Sequence, residues 1–488
     1  MSHRILMALI ILFLLSPFFL LFSQFNFHFH LDLDNFYWAF KNTLIQSIGS
    51  GIASVVFGGL GGFGLLWISR VVNPRTFFWL EKLILLPNML PSLFVIVSCL
   101  GFINPFPYGK LGIILIHTII NIGLVSVLFS QIVVKKLSAM GSLSLVEGAS
   151  RWQFFRVGIL GYLTPDIFFL FLFVFAISIV SFNVPLLVGG SSGTTLEVLI
   201  YENLVITRNW SESIILCVLQ MTIVGLVSFL RKPTNIGMSE ERESQMLELV
   251  EWKWGLTFPF LALVLVLVSP LLAISNGLRQ LHFLEIQWSF LIQPILNSFL
   301  IGLFTGICLF CLTSFACFGF ELRWWRRFLL FYLPPGAVLV GFSFFILAKW
   351  IEFSVNTQII LGLSLLFFAS SFRLSLASSL SHLLPQIEVA QILGAKPVKI
   401  FKELIFPQMI KQLVFASGVG SMWSCGDFAL SSILSSEDFH LALIIKSLAA
   451  SYRLDAAQLL MFILYGVALI LFLLWWRLGN VISRKLNC

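Results

Sequence analysis

The chain has 488 residues, of which 59% are hydrophobic and only 11% charged, with a formal net charge of +8. A water-soluble globular protein of this size could not hide so much apolar surface, so the bilayer must be the solvent for most of the chain.

Apolar runs of about 20 residues, the length a helix needs to cross roughly 30 Å of hydrocarbon, recur almost from end to end. They fall near 5–22, 42–68, 83–103, 111–134, 167–190, 212–231, 256–274, 295–320, 328–348, 357–380, 412–435 and 457–476. Nothing shows the ten-residue alternation of barrel strands, and backbone groups in lipid must be satisfied inside the segment, so helices are expected. The first run follows Arg4 but continues to Phe22 with no small-x-small site after it, which reads as an uncleaved anchor rather than a secretory signal.

Basic loops resist translocation, so the Lys and Arg residues orient the spans. One set of alternate gaps holds 23 of the 30 basic residues, among them Arg70, Lys135, Lys136, Arg151, Arg323, Lys396 and Arg477; the opposite set holds 7. Both termini are therefore expected in the cytoplasm, and the bias accounts for the positive charge without a nucleic-acid partner. Trp324 with Trp325, and Trp475 with Trp476, stand at expected cytoplasmic span ends as interfacial anchors. Cys308 and Cys311 form a C-x-x-C inside an apolar run with no metal-like neighbours, and the seven histidines show no ligand spacing, so no metal site is expected.

Two gaps are unusually long, Lys135 to Pro165 and Ser381 to Ile410, and each lies between the fourth and fifth spans of a six-span half. Gly148-Ala149 answers Gly394-Ala395 at an offset of 246 residues, and Ser181-Phe182 answers Asp427-Phe428 at the same offset. Asn42-Thr43-Leu44 answers Asn297-Ser298-Phe299 at 255. The expected fold is an all-α polytopic membrane protein of about 12 transmembrane helices in two parallel six-helix repeats. The first repeat would span 1–235, a cytoplasmic linker 236–255 and the second repeat 256–488.

In the second long gap, Val389, Ile392 and Leu393 recur at i, i+3 and i+4 as one apolar stripe on a short helix. Gly394 can end that helix with a positive φ, and Pro397 suits the first turn of a following helix, where its missing N–H would be unpaired anyway. Pro407 marks the next break. The expected product is a helix-turn-helix elbow facing the cytoplasm.

This segment, Glu388-Val389-Ala390 through Gly394, Ala395, Ile405 and Pro407, resembles the E-A-A-x-x-x-G loop of ABC importer permeases, with Val389 in place of the first alanine. The resemblance implies a coupling helix seated in a groove of an ATPase subunit. Gly148, Ala149 and Arg151 resemble the first copy of the same loop, degenerate because Ser142 stands where the family has Glu and Gly161 where it has Pro. Further stretches, Tyr108-Gly109 through His117 and Asn121, Gly189-Gly190 through Glu197 and Tyr201, and Gly426-Asp427-Phe428 through Asp455, are similar to fused thiamine-type permeases, with ferric-iron permeases next.

The chain lacks a Walker glycine pattern, so ATP is expected on partner subunits. What the resemblance implies is no enzyme activity and no cofactor in this chain, two copies of an ABC ATPase, a periplasmic substrate-binding protein and a bacterial inner-membrane location. The implied function is import of thiamine or a related small cation by alternating access, with iron(III) as the alternative solute. An ion-coupled secondary transporter is the rival class and would need ionisable groups in mid-membrane, for which Asp427, Arg373 and His117 are the candidates. Asp427 is also a candidate for the substrate path, or for a carboxylate satisfying local backbone N–H groups beside Gly426.

Overall fold

The apolar runs fold as helices, and no strand occurs among the described residues. The computed structural model describes residues 2–25, 32–229, 251–280, 288–320, 322–332, 336–372, 376–436 and 438–485. The first half holds α1 (Ser2–Phe22), α2 (Leu33–Val71), α3 (Pro74–Ile84), α4 (Leu86–Met89), α5 (Ser92–Phe102), α6 (Lys110–Val146), α7 (Arg151–Phe154), α8 (Thr164–Ile179), α9 (Asn183–Val188), α10 (Leu196–Tyr201) and α11 (Trp210–Phe229). The second holds α12 (Thr257–Gln280), α13 (Trp288–Phe318), α14 (Arg323–Phe331), α15 (Ala337–Ala348), α16 (Val355–Ser371), α17 (Ala377–Ile392), α18 (Pro397–Ile400), α19 (Phe406–Cys425), α20 (Ser431–Leu434), α21 (Leu441–Ala450) and α22 (Leu454–Lys485). Most of the linker expected over 236–255 lies outside the described residues.

Among the described residues five helices, α2, α6, α11, α13 and α22, carry stretches long and apolar enough to cross a membrane. A sixth crossing is available if Arg151–Tyr162 and α8, bent by 59° at their junction, form one span. Other expected spans are shorter or interrupted, and the interruptions have local causes. The run near 83–103 is broken into α3, α4 and α5, with Pro87 and Pro91 at the breaks, where a ring removes a backbone donor. The runs near 167–190 and 412–435 break after Ile179 and Cys425, positions 246 residues apart, the same offset that relates Gly148 to Gly394.

The chain divides into two compact units built from interleaved segments. One comprises Leu33–Leu196 with Ile223–Asn276. Here α2 packs on α6 through glycines: a Cβ on Gly58 would stand 2.6 Å from Val125, and one on Gly62 2.6 Å from Phe129, so only bare backbone allows this approach. The segment opening the second repeat lies against the same helix, with Phe57 and Phe258 rings 5.2 Å apart.

The other unit comprises Met1–Asp32, Glu197–Thr222 and Gly277–Cys488. Its core holds α1 together with α15: Tyr332 donates to the Leu14 carbonyl at 3.1 Å, and Ser343 donates to the Pro17 carbonyl at 3.0 Å. Pro17 leaves the Phe13 carbonyl without its helical donor, and Ser16 Oγ fills that vacancy at 2.8 Å. Only one ring of each tryptophan pair faces outward. Trp325 is fully buried and donates to the Ala316 carbonyl at 3.0 Å, and Trp475 is buried, whereas Trp324 and Trp476 are exposed. One ring of each pair is therefore exposed as an interfacial anchor would be, while the other is buried, Trp325 with its indole N–H satisfied by a carbonyl.

The repeated Asn-Thr and Asn-Ser pairs make the same latch in their two units. Asn42 donates to the Thr194 carbonyl at 3.1 Å while Thr43 Oγ1 accepts from the Leu196 N–H at 2.8 Å. Asn297 donates to the Phe439 carbonyl at 2.7 Å while Ser298 Oγ accepts from the Leu441 N–H at 3.0 Å. Each latch ties a long helix to the loop that opens a short one, α10 or α21.

Candidate functional site

The two long gaps fold as elbows with matching backbone. In the second, α17 ends at Ile392, Gly394 takes φ +78°, and the Ala395 N–H reaches back to the Ala390 carbonyl at 3.0 Å while the Gly394 N–H bonds the Gln391 carbonyl at 2.9 Å. This is a glycine-terminated helix end of the Schellman kind. Pro397 then opens α18, followed by wider π-type turns over Phe401–Ile405 that run into α19.

The first elbow follows the same course 246 residues earlier: α6 ends at Val146, Gly148 takes φ +71°, and the Ala149 N–H bonds the Ser144 carbonyl at 2.9 Å. Here Arg151 opens α7, and Ser150 and Gln153 replace the proline with a reciprocal cap, Ser150 N to Gln153 Oε1 at 2.8 Å and Gln153 N to Ser150 Oγ at 3.3 Å. π-type turns follow over Phe155–Tyr162. Different side chains thus start the same second helix. At its base Lys136 reaches both carboxylate oxygens of buried Asp166 at 2.8 Å, joining α6 to α8.

Side chains divide in the same way at both elbows. Ile400 and Ile405 are buried, as are Phe154 and Ile159, anchoring the second arm. Outward stand Val389, Ile392, Leu393 and Val398 at the second elbow, with Ile392 85% exposed, and Leu143, Val146 and Trp152 at the first, with Val146 88% exposed. Val389, Ile392 and Val398 are the counterparts of Leu143, Val146 and Trp152 at the 246 offset. Glu388 and Arg151 are exposed beside these stripes, Ala390, Ala395, Ala149 and Pro407 are half-buried, and Gly394 and Gly148 lie at the tips. An isolated exposed leucine needs no explanation, but here the same three positions are apolar and exposed at both turns.

Asp427 sits in the break after α19, 7% exposed, with Oδ2 accepting from the Leu430 N–H at 3.1 Å. That contact is the one a local backbone cap would make. Since an asparagine oxygen can accept the same bond, Asp427→Asn is expected to leave the melting temperature near wild type. Asp427→Ala should lose about 1 kcal/mol, the usual worth of a side-chain cap, measurable by thermal unfolding in detergent.

His117 is buried on α6, and its backbone carbonyl accepts from the Asn121 side chain at 2.8 Å. Arg373 lies outside the described residues. The expected spans leave Glu197 in the gap between 167–190 and 212–231. In the folded chain it is 2% exposed and accepts from Gln220, inside α11, at 3.0 Å. Its one legible signal was an acidic residue at the start of the mostly apolar Leu196–Tyr201 segment, which spacing alone could not set at membrane depth. Among the described residues no group of three or more His, Cys, Asp or Glu side chains comes together as a metal cluster. No protein-family model, no curated protein and no solved structure matches the chain.

Proposed function

We propose that this chain is the two-copy permease subunit of an ATP-driven importer in a bacterial inner membrane, with twelve spans, both termini cytoplasmic, and thiamine or a related small cation as solute. The observation that carries this reading is the pair of elbows: one backbone geometry twice over, each tip presenting apolar knobs at the same three positions. Two docking surfaces of matching geometry suit a partner present in two copies, and two ATPase subunits fit that description. A second solute-delivering partner on the outer face completes the importer.

The mechanism is transmission of movement. ATP-driven closure of the partner pair pushes on the elbows, whose second arms are anchored by buried Ile400, Ile405, Phe154 and Ile159 and continue into α19 and toward α8. A rigid elbow joined to a span converts a push at its tip into a tilt of that span, and the side on which the bundle is open changes.

A cysteine at Gln386, an exposed position on α17, tests the orientation together with the class. An impermeant maleimide is expected to label it only after the membrane is permeabilised, and uptake in vesicles is expected to require ATP. Labelling of intact cells from outside overturns the topology. Uptake abolished by a protonophore with ATP still present would instead favour the ion-coupled carrier.

A further inference from the structure

Carboxylates are rare inside membrane bundles, because an ionised group there needs a partner or a task. Glu197 stands at such a depth. Its partner Gln220 lies ten residues beyond Trp210 in α11, about 15 Å along the helix at 1.5 Å per residue. The chain reaches it by turning back after α8 through α9 and α10.

The carboxylate is buried yet only half satisfied. Oε1 accepts from Gln220 Nε2 at 3.0 Å, whereas Oε2 has no hydrogen-bond partner, and no Lys, Arg or His pairs with the group among the described residues. Opposite stands Gly336, the residue before α15, against which Oε1 packs so closely that any Cβ there would collide with it. α15 has 12 residues, so its first turn carries the positive end of a helix dipole, which favours the ionised form of a nearby carboxylate. The ring of Trp210 meets that of Phe342 at 5.3 Å, so α11 and α15 run side by side in opposite directions, with Glu197 in the seam between them.

A buried carboxyl group held by one amide beside a helix end, with an oxygen left over, has room in its hydrogen bonding for a positively charged partner, whose arrival would favour its ionised form. We propose that Glu197 binds the positively charged group of the transported solute within the seam between α11 and α15. This rests on the reading of the chain as a cation importer. Gln220 positions the carboxylate, and Gly336 leaves the space that lets it stand against the helix end.

The test uses the purified full-length permease in nanodiscs, with radiolabelled thiamine and, separately, iron(III) citrate as probes. Glu197→Gln keeps the shape and the contact to Gln220 but removes the charge. Thiamine affinity is expected to fall at least about tenfold, a loss of one charge-assisted contact, while the melting temperature stays near wild type. Glu197→Asp should fall between the two. Wild-type affinity in Glu197→Gln overturns the proposal and leaves the importer reading untouched. An equal loss of stability in Glu197→Gln and Glu197→Ala also overturns it, since the carboxylate would then be a packing element. Wild-type protein that binds neither probe overturns it too. ATP-independent uptake, in contrast, sinks the ATP-driven reading while a charge-dependent loss in Glu197→Gln still supports the site.

Discussion

On the proposed importer reading, Gly394→Val is expected to abolish uptake and the solute-stimulated ATPase activity of the assembled complex while leaving the chain in the membrane at normal level. The reason is backbone conformation alone. No atom lies within 4 Å of where a Cβ on Gly394 would be, so space is not the obstacle, but φ is +78°. A left-handed conformation costs an ordinary L-residue about 1–2 kcal/mol, and a β-branched residue adopts it least readily. Valine would relax toward negative φ, and the two bonds from Gly394 and Ala395 back to Gln391 and Ala390 would be lost together. The elbow would then splay and its tip would miss the partner. Asparagine tolerates the left-handed region, so Gly394→Asn should keep much of the uptake. A valine variant with normal uptake, or an asparagine variant as defective as valine, would remove the turn from the mechanism.

The second large effect concerns the knobs themselves. On the same reading, Ile392→Asp combined with Val146→Asp should release the proposed ATPase subunits during purification and reduce uptake by one to two orders of magnitude. Burying one aliphatic side chain of this size contributes about 1.5–3 kcal/mol, and each 1.4 kcal/mol is a factor of ten in affinity. Replacing it with a carboxylate adds the cost of desolvating a charge in the socket. Each single variant should show a smaller loss because the other elbow still docks. Both side chains are highly exposed in the chain alone, so neither change should lower its own melting temperature by more than a surface substitution does. Co-purification of partner subunits with the double variant in wild-type yield would show that the stripes do not dock them.

The elbow was legible in the sequence almost residue by residue. A positive φ at Gly394, a helix opening at Pro397 and an outward stripe of Val389, Ile392 and Leu393 all follow from local chemistry, which acts over four or five residues. The degenerate first elbow was legible only through its offset, because Ser150 and Gln153 supply by side-chain capping what Pro397 supplies by its ring. The recurrence of Asn42-Thr43 as Asn297-Ser298 was also visible, although the reason for it, a latch on the chain before α10 and α21, was not.

The sequence by itself determined the solvent, the helical class, the twofold repetition and the turn chemistry of the elbows, because composition, period and glycine or proline placement are properties of neighbouring residues. Only the tertiary structure decided which segments pack together. α1 belongs to the unit of the second half, and the segment that opens α12 lies against α2, since apolar helices of similar composition offer many partners and glycine faces such as Gly58 and Gly62 select by shape. The depth of Glu197 was decided in the same way. A six-residue helix between spans reads as a loop, and it is the return of the chain to Gln220 that turns a loop acid into a buried carboxylate inside the bundle.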